Sequence, residues 1–262
     1  MAAHQIRFDD GAAYERMMGG FSRLAGVVFL DWLAPPPGLR WIDVGCGSGA
    51  FTELLAERAA PAELQGLDPS EAQLAFARAR PAARVAEFRQ GDAMALPFPN
   101  DRFDAAIMAL VIFFVPDPAK GVAEMARVVR PGGTVAAYAW NLLGGGFPLE
   151  SIRAELRAMG IDPPLPPSAG ASRTDALREL WAAAGLEAIE TRPISVERHF
   201  ADFDDFWAIS LLSSSIGATV AAMTAADVER LKERVRERLP ADAAGRIACG
   251  AFANAIRGRR PT

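Results

Sequence analysis

Between residues 39 and 140, short apolar runs alternate with amphipathic stretches at a regular interval, and this alternation constrains the fold of the 262-residue chain more than any other feature. Residues 39–44, 64–67, 84–88, 103–110 and 134–140 read as strands. Residues 50–59, 70–79 and the stretch "PAKGVAEMARVV" read as helices, the last with Val122, Met125, Ala126 and Val129 at helical spacing. The run 103–110 is the most apolar, as expected of a central strand buried on both faces of a parallel sheet. Strand and helix alternating at this period predict a doubly wound α/β fold.

The flanks extend this frame. Residues 11–34 predict an N-terminal helical cap that "PPPG" ends before the first strand. Residues 144–170 are rich in glycine and proline and hold one short helix. Ser172 and Asp175 have capping-box spacing ahead of a helix with Leu177, Leu180, Trp181 and Ala184 on one face, closed by Gly185. Residues 186–200 read as a strand. Residues 202–240 read as helical, with Thr224 and Asp227 opening a charged helix that Pro240 ends, and 246–256 as a last strand rejoining the sheet. The expectation is one domain over 1–262. It has a Rossmann-like, mostly parallel, seven-stranded sheet and a late helical insertion.

Composition narrows the partners. A net charge of −4 argues against a dedicated nucleic-acid binder, which would carry a basic face; the tail "RGRRPT" is too small to be one. The longest apolar run, 105–115, falls short of the roughly 20 residues a bilayer span needs. The start "MAAHQIRFDDG" lacks the basic-then-apolar pattern of a signal peptide, and two cysteines, Cys46 and Cys249, make no disulfide framework. A cytoplasmic protein is expected, and no metal site is evident.

At the first strand-to-helix junction, "IDVGCGSGAF" places glycines at 45, 47 and 49 behind Asp43. Bare backbone at such a turn lets a ligand approach closely. A dinucleotide fingerprint would place its third glycine one residue later. A carboxylate about 4 Å from a pyrophosphate charge would cost roughly 4 kcal/mol at an effective dielectric near 20, and would gain a similar amount beside an ammonium. The expected ligand therefore carries a cation at this end and no phosphate, as S-adenosylmethionine does. Asp68 and Asp92 follow the second and third strands, where carboxylates can accept from ribose hydroxyls and an adenine amino group. Each acid singly is also a common turn or helix-capping residue.

Through "WIDVGCGSG", "GLDPS", "GDAMALPFPNDRFDAAIMALVIFFVPDP" and "RVVRPGGTVAAYAW", the chain resembles the class I S-adenosylmethionine-dependent methyltransferases, in particular the type 11 group with the ubiquinone and menaquinone C-methyltransferases. The resemblance is dense over 39–140 and thins to fold level after 142. It implies a cofactor-binding core at 39–140, with acceptor-side insertions at 142–171 and 202–240. It assigns Asp43, Gly45, Cys46, Gly47 and Gly49 to the methionine end, Asp68 and Pro69 to ribose and adenine, and Asp92, Ala93 and Met94 to adenine. Leu110 would face the methionine portion, and Tyr14 would close over the cofactor from the cap. Many relatives carry a histidine pair after the fourth strand, where this chain has Phe113 and Phe114. That departure implies a more apolar acceptor pocket.

Methyl transfer from a sulfonium asks mainly for alignment, so the acceptor side is less legible. His199 is the one weak candidate for a base. Phe113, Tyr138, Trp140, Phe206 and Trp207 are candidates for the acceptor wall, although helical spacing makes core packing the more common outcome for Phe206 and Trp207. The implied partner is a small molecule with an apolar part. Two other functions are compatible with the motifs: a non-catalytic S-adenosylmethionine-binding protein, and an NAD-dependent oxidoreductase, which the early third glycine and Asp43 disfavour.

Overall fold

The computed structural model describes residues 15–262; Tyr14 lies outside them. Seven strands form one sheet in the order β3-β2-β1-β4-β5-β7-β6. The strands are β1 (Arg40–Val44), β2 (Glu63–Asp68), β3 (Ala86–Gln90), β4 (Phe103–Ala109), β5 (Val129–Trp140), β6 (Glu187–Phe200) and β7 (Ile247–Arg259). The first five pair in parallel, and β7 enters antiparallel between β5 and β6. Helix α1 (Gly20–Leu33) precedes β1; α2 (Ala50–Ala59), α3 (Glu71–Ala79) and α4 (Pro118–Val128) follow β1, β2 and β4. The sheet interior is tight, with Trp41, Trp140 and Trp181 wholly buried.

Three local expectations shift. The fifth strand starts at Val129, five residues before the predicted 134, and so takes Val129 out of the predicted helix. The third strand begins two residues late because Pro81, whose φ is fixed, opens a 3-10 turn (Pro81–Arg84) ahead of it. Ser172 does not cap the helix after it. That helix, α6 (Thr174–Ala183), starts from Arg173 without a side-chain cap. Ser172 is instead buried; its hydroxyl donates to the Ala169 carbonyl and accepts from the Leu142 N–H. At the next predicted cap the expectation holds: Thr224 accepts from the Asp227 N–H.

The segment after β5 holds α5 (Glu150–Ala158), and the insertion between β6 and β7 holds α7 (Phe203–Ser210), α8 (Ser214–Ala221) and α9 (Ala225–Arg238). Arg234 and Arg238 of α9 both pair with Glu155, a nearly buried carboxylate on α5, and so bind the two insertions together. Burial pushes the Glu155 carboxyl up, but the hydrogen bonds from Arg238 and Arg234 outweigh it and hold it below its ordinary range.

β6 and β7 outrun the sheet. β5 ends at Trp140, opposite Ala253. Beyond that level β6 and β7 continue as a two-stranded ribbon from Ser195↔Phe252 to Phe200↔Ile247. These six further pairs project about 20 Å past the carboxyl end of β5. The ribbon carries α7–α9 at its tip. Its β6 strand also packs on α1, where Phe21 meets Phe200, and Arg198 donates to the Met17 carbonyl in the turn (Glu15–Gly19) that precedes α1.

Candidate active site

β1 and β4 are neighbours whose connections leave in opposite directions, and ligands bind at such a switch point, outside the carboxyl ends of the strands. A cavity of about 250 Å³ opens there. Its walls come from the loops after β1, β2, β3 and β4, from Tyr138 on β5 and from Ser22 on α1.

The glycine loop is shaped by backbone geometry. Gly45, Gly47 and Gly49 have φ of +78°, +53° and +79°, left-handed values that suit glycine at alternate positions. The N–H groups of Gly45 and Cys46 both donate to the Leu67 carbonyl. A Cβ on Gly45 would stand 2.4 Å from Val111, whereas one on Gly47 would meet nothing nearer than Gln73 Oε1 at 4.0 Å. Gly47 thus presents open backbone to the cavity. Arg80 fixes the far side of the loop: its guanidinium donates to the Ser48 carbonyl at 2.7 Å, to Glu53 at 2.8 Å and to Glu15 at 2.6 Å.

Asp68 lines the cavity and braces it. One carboxylate oxygen accepts from the Gly47 N–H and the other from the Ser70 N–H, both at 2.9 Å. Burial raises its pKa, against the lowering effect of those two bonds. Asp92 also lines the cavity, with Oδ1 accepting from the Met94 N–H at 2.8 Å in a local turn. Pro69, Ala93 and Cys46 are in the wall; Met94, expected at the adenine, is partly buried and does not line it. Leu110 lines the wall with φ of +62°, a strained value for a branched residue, held by its N–H donating to the Tyr138 carbonyl.

Asp43 departs from the sequence reading. It does not stand at the mouth of the loop but is wholly buried under it and is not part of the cavity wall. One oxygen accepts from the Thr52 hydroxyl at 2.7 Å; the other has no partner. Burial pushes its pKa up to about 7; the Thr52 bond opposes the shift and the charge of Asp68 adds to it. The acid is therefore enclosed beneath the loop with one oxygen hydrogen-bonded and the other without a partner.

The acceptor-side candidates separate. Tyr138 lines the cavity, its ring against Phe29 and Phe51. Phe113 does not. The 3-10 turn Ile112–Phe114 turns Phe113 into the core and gives the wall to Phe114, Val115 and Pro116. Trp140 packs edge-on against Phe21 in the core. Phe206 and Trp207 pack against Phe200 and Phe203, as their helical spacing allows. His199 projects from the ribbon with its side chain more than half exposed beside Glu197, away from the cavity. Sequence reasoning set Phe114 beside Phe113 at an apolar pocket but chose Phe113 for the wall, and it missed Ser22 and the loop-fixing Arg80. The first needed the turn's phase, and the other two are long-range in sequence.

A methyltransferase-domain family model matches residues 42–137. Over 179 residues the chain is 33% identical to a 2-phytyl-1,4-naphtoquinone methyltransferase of Synechococcus elongatus, covering 66% of this chain and 74% of the relative. The chain belongs to the S-adenosylmethionine-dependent methyltransferase family. An uncharacterized protein of Mycobacterium tuberculosis is 37% identical over 134 residues, 51% of this chain and about half (48%) of that relative's length. Among solved structures, phosphoethanolamine N-methyltransferase 2 of Haemonchus contortus, in complex with S-adenosylmethionine, superposes with a TM-score of 0.60 at 20% identity. That likeness covers 97% of this chain and 58% of the other, and it shows the shared fold. Among the described residues no helix is long and apolar enough to cross a membrane, and no cluster of acids, histidines or cysteines could hold a metal.

Proposed function

We propose that this chain transfers a methyl group from S-adenosylmethionine to a small-molecule acceptor with an apolar part. The observation that carries the proposal is a single cavity in which a bare-backbone loop, two acids and an apolar wall meet at the switch point of the sheet. When bound, the cofactor supplies a methyl on a positive sulfonium that leaves as a neutral thioether.

The chain's own residues bind, orient and exclude water. Gly45–Gly49 receives the amino-acid end, with the vacant Asp43 oxygen beneath it. Asp68 keeps lone pairs for ribose hydroxyls while its other lone pairs hold the loop. Asp92 and Ala93 receive the adenine. Leu110, Val111, Phe114, Val115 and Pro116 present no ionisable group. Their part is to align the acceptor and keep the site dry, and alignment can supply on the order of 7–11 kcal/mol. The acceptor then brings its own electron pair, as a reduced, quinone-like ring does. The named Synechococcus relative supports that class.

The test is twofold. Calorimetry with S-adenosylhomocysteine should show one site. Labelled S-adenosylmethionine should pass its methyl to a demethylated, prenylated 1,4-naphthohydroquinone or to another small apolar acceptor in a metabolite extract. Absence of nucleoside binding would overturn the proposal.

A further inference from the structure

Ser22 lies on α1, outside every motif of the cofactor-binding core, yet it lines the cavity. Its Oγ is buried and has no hydrogen-bond partner. Hydroxyls in helices commonly satisfy themselves by donating to the carbonyl four residues back, as Ser210 does to Phe206 at 2.7 Å and Thr219 to Ser215 at 2.8 Å in this chain. Ser22 makes no such bond. A buried polar group without a partner costs stability unless something in the cavity meets it.

The place of Ser22 indicates what that is. One turn further along α1, a Cβ on Gly26 would touch Leu54 and Phe51 of α2, so α1 lies directly against the start of α2. Ion pairs Arg23–Glu57 and Arg58–Asp31 fix that packing on either side. Ala50 and Phe51, the first residues of α2, share the cavity wall with Ser22. The residue before them, Gly49, offers no side chain to cap the open N–H groups of α2. A helix start favours negative charge, and the hydroxyl beside it can donate one more bond.

We infer that the Ser22 hydroxyl is a cofactor ligand, donating to the carboxylate of the methionine portion at the N-terminus of α2. The inference rests on the proposed function. It predicts a division of labour within one ligand: acid Asp43 under the ammonium, neutral donors around the carboxylate. It also makes α1 part of the cofactor site rather than only its cover.

The experiment compares two nucleosides by calorimetry: S-adenosylhomocysteine, which has the carboxylate, and 5′-methylthioadenosine, which lacks the whole amino-acid end. Ser22→Ala, a helix-favouring change, should weaken the first about tenfold and leave the second within about twofold. Ser22→Thr, which keeps the hydroxyl, should recover most of the loss. Equal weakening of both nucleosides would mark Ser22 as a packing residue, and unchanged affinity for S-adenosylhomocysteine would remove it from the site; either result overturns the inference while leaving the proposed function intact. If the unsubstituted protein binds neither nucleoside, the functional proposal falls and Ser22 with it.

Discussion

The backbone N–H of Gly47 donates to Asp68 Oδ2 at 2.9 Å, tying the loop after β1 to the end of β2. The other oxygen holds Ser70, the N-cap of α3. One carboxylate therefore sets the distance between two walls of the cavity before any ligand arrives. Asp68→Ala should weaken S-adenosylhomocysteine binding by about 1–3 kcal/mol, through bonds to ribose left unmade and a loosened loop. Titration calorimetry checks it, and unchanged affinity would exclude Asp68 from the site.

Gly47→Val tests close approach of backbone and ligand. The new side chain meets no protein atom nearer than Gln73 Oε1 at 4.0 Å, but a φ of +53° strains it and it enters the cavity. The variant should fold, with a melting temperature only a few degrees lower, and should bind no nucleoside. Gly45→Ala should fare worse in folding, because its Cβ would collide with Val111.

Asp43 links cofactor binding to pH. Its folded pKa of about 7 lies above the unfolded value of 3.8. The folded state thus holds a proton the unfolded state has lost. Its contribution to stability is full below about pH 4 and falls as pH rises to about 7, by on the order of 4 kcal/mol. Cation binding favours the ionised form, so affinity for S-adenosylhomocysteine, through its ammonium, should rise from pH 6 to pH 8 with proton release. Asp43→Asn should flatten both profiles. Denaturation and calorimetry across that range check the two signs.

Glu155 predicts an asymmetry. Glu155→Gln frees Arg234 and Arg238, whose side chains are about half exposed and return to water, at a cost of about 1 kcal/mol. Replacing both arginines with alanine instead strands a nearly buried carboxylate and should cost about 3–5 kcal/mol. Because the folded Glu155 carboxyl titrates below its ordinary range, its contribution is present at neutral pH and lost as pH falls through that lowered pKa. Urea denaturation orders the two variants.

His199→Ala should leave methyl transfer unchanged within about twofold, since its exposed imidazole faces Glu197 on the ribbon. A large loss of turnover with normal cofactor binding would restore it as a base.

The seven strands, and the positions of Gly45–Gly49, Asp68 and Asp92, were legible because period and glycine spacing are local properties. Depth was not. Asp43 reads as an acid at a loop entrance, and only the packing of α2 over β1, with Thr52 above it, shows that it is enclosed. The phase of a single 3-10 turn decides between Phe113 and Phe114. Ser22 had a faint signal: a hydroxyl beside Phe21 and one turn from Gly26 interrupts an otherwise apolar stripe. Nothing local told that the stripe ends at a cavity. Arg80 spans 27 to 65 residues to its carboxylate partners, a reach no motif encodes.

The ribbon of β6 and β7 works as a braced arm, held at its root by the sheet and at its tip by Glu155. Everything from Ala201 to Arg246 lies between its two strands at the far end, while Asp68 ends β2 and Asp92 follows β3 at the opposite margin of the sheet. A lineage, or an engineer, exchanging that block would have to exchange α5 with it, because Arg234 and Arg238 reach across to Glu155.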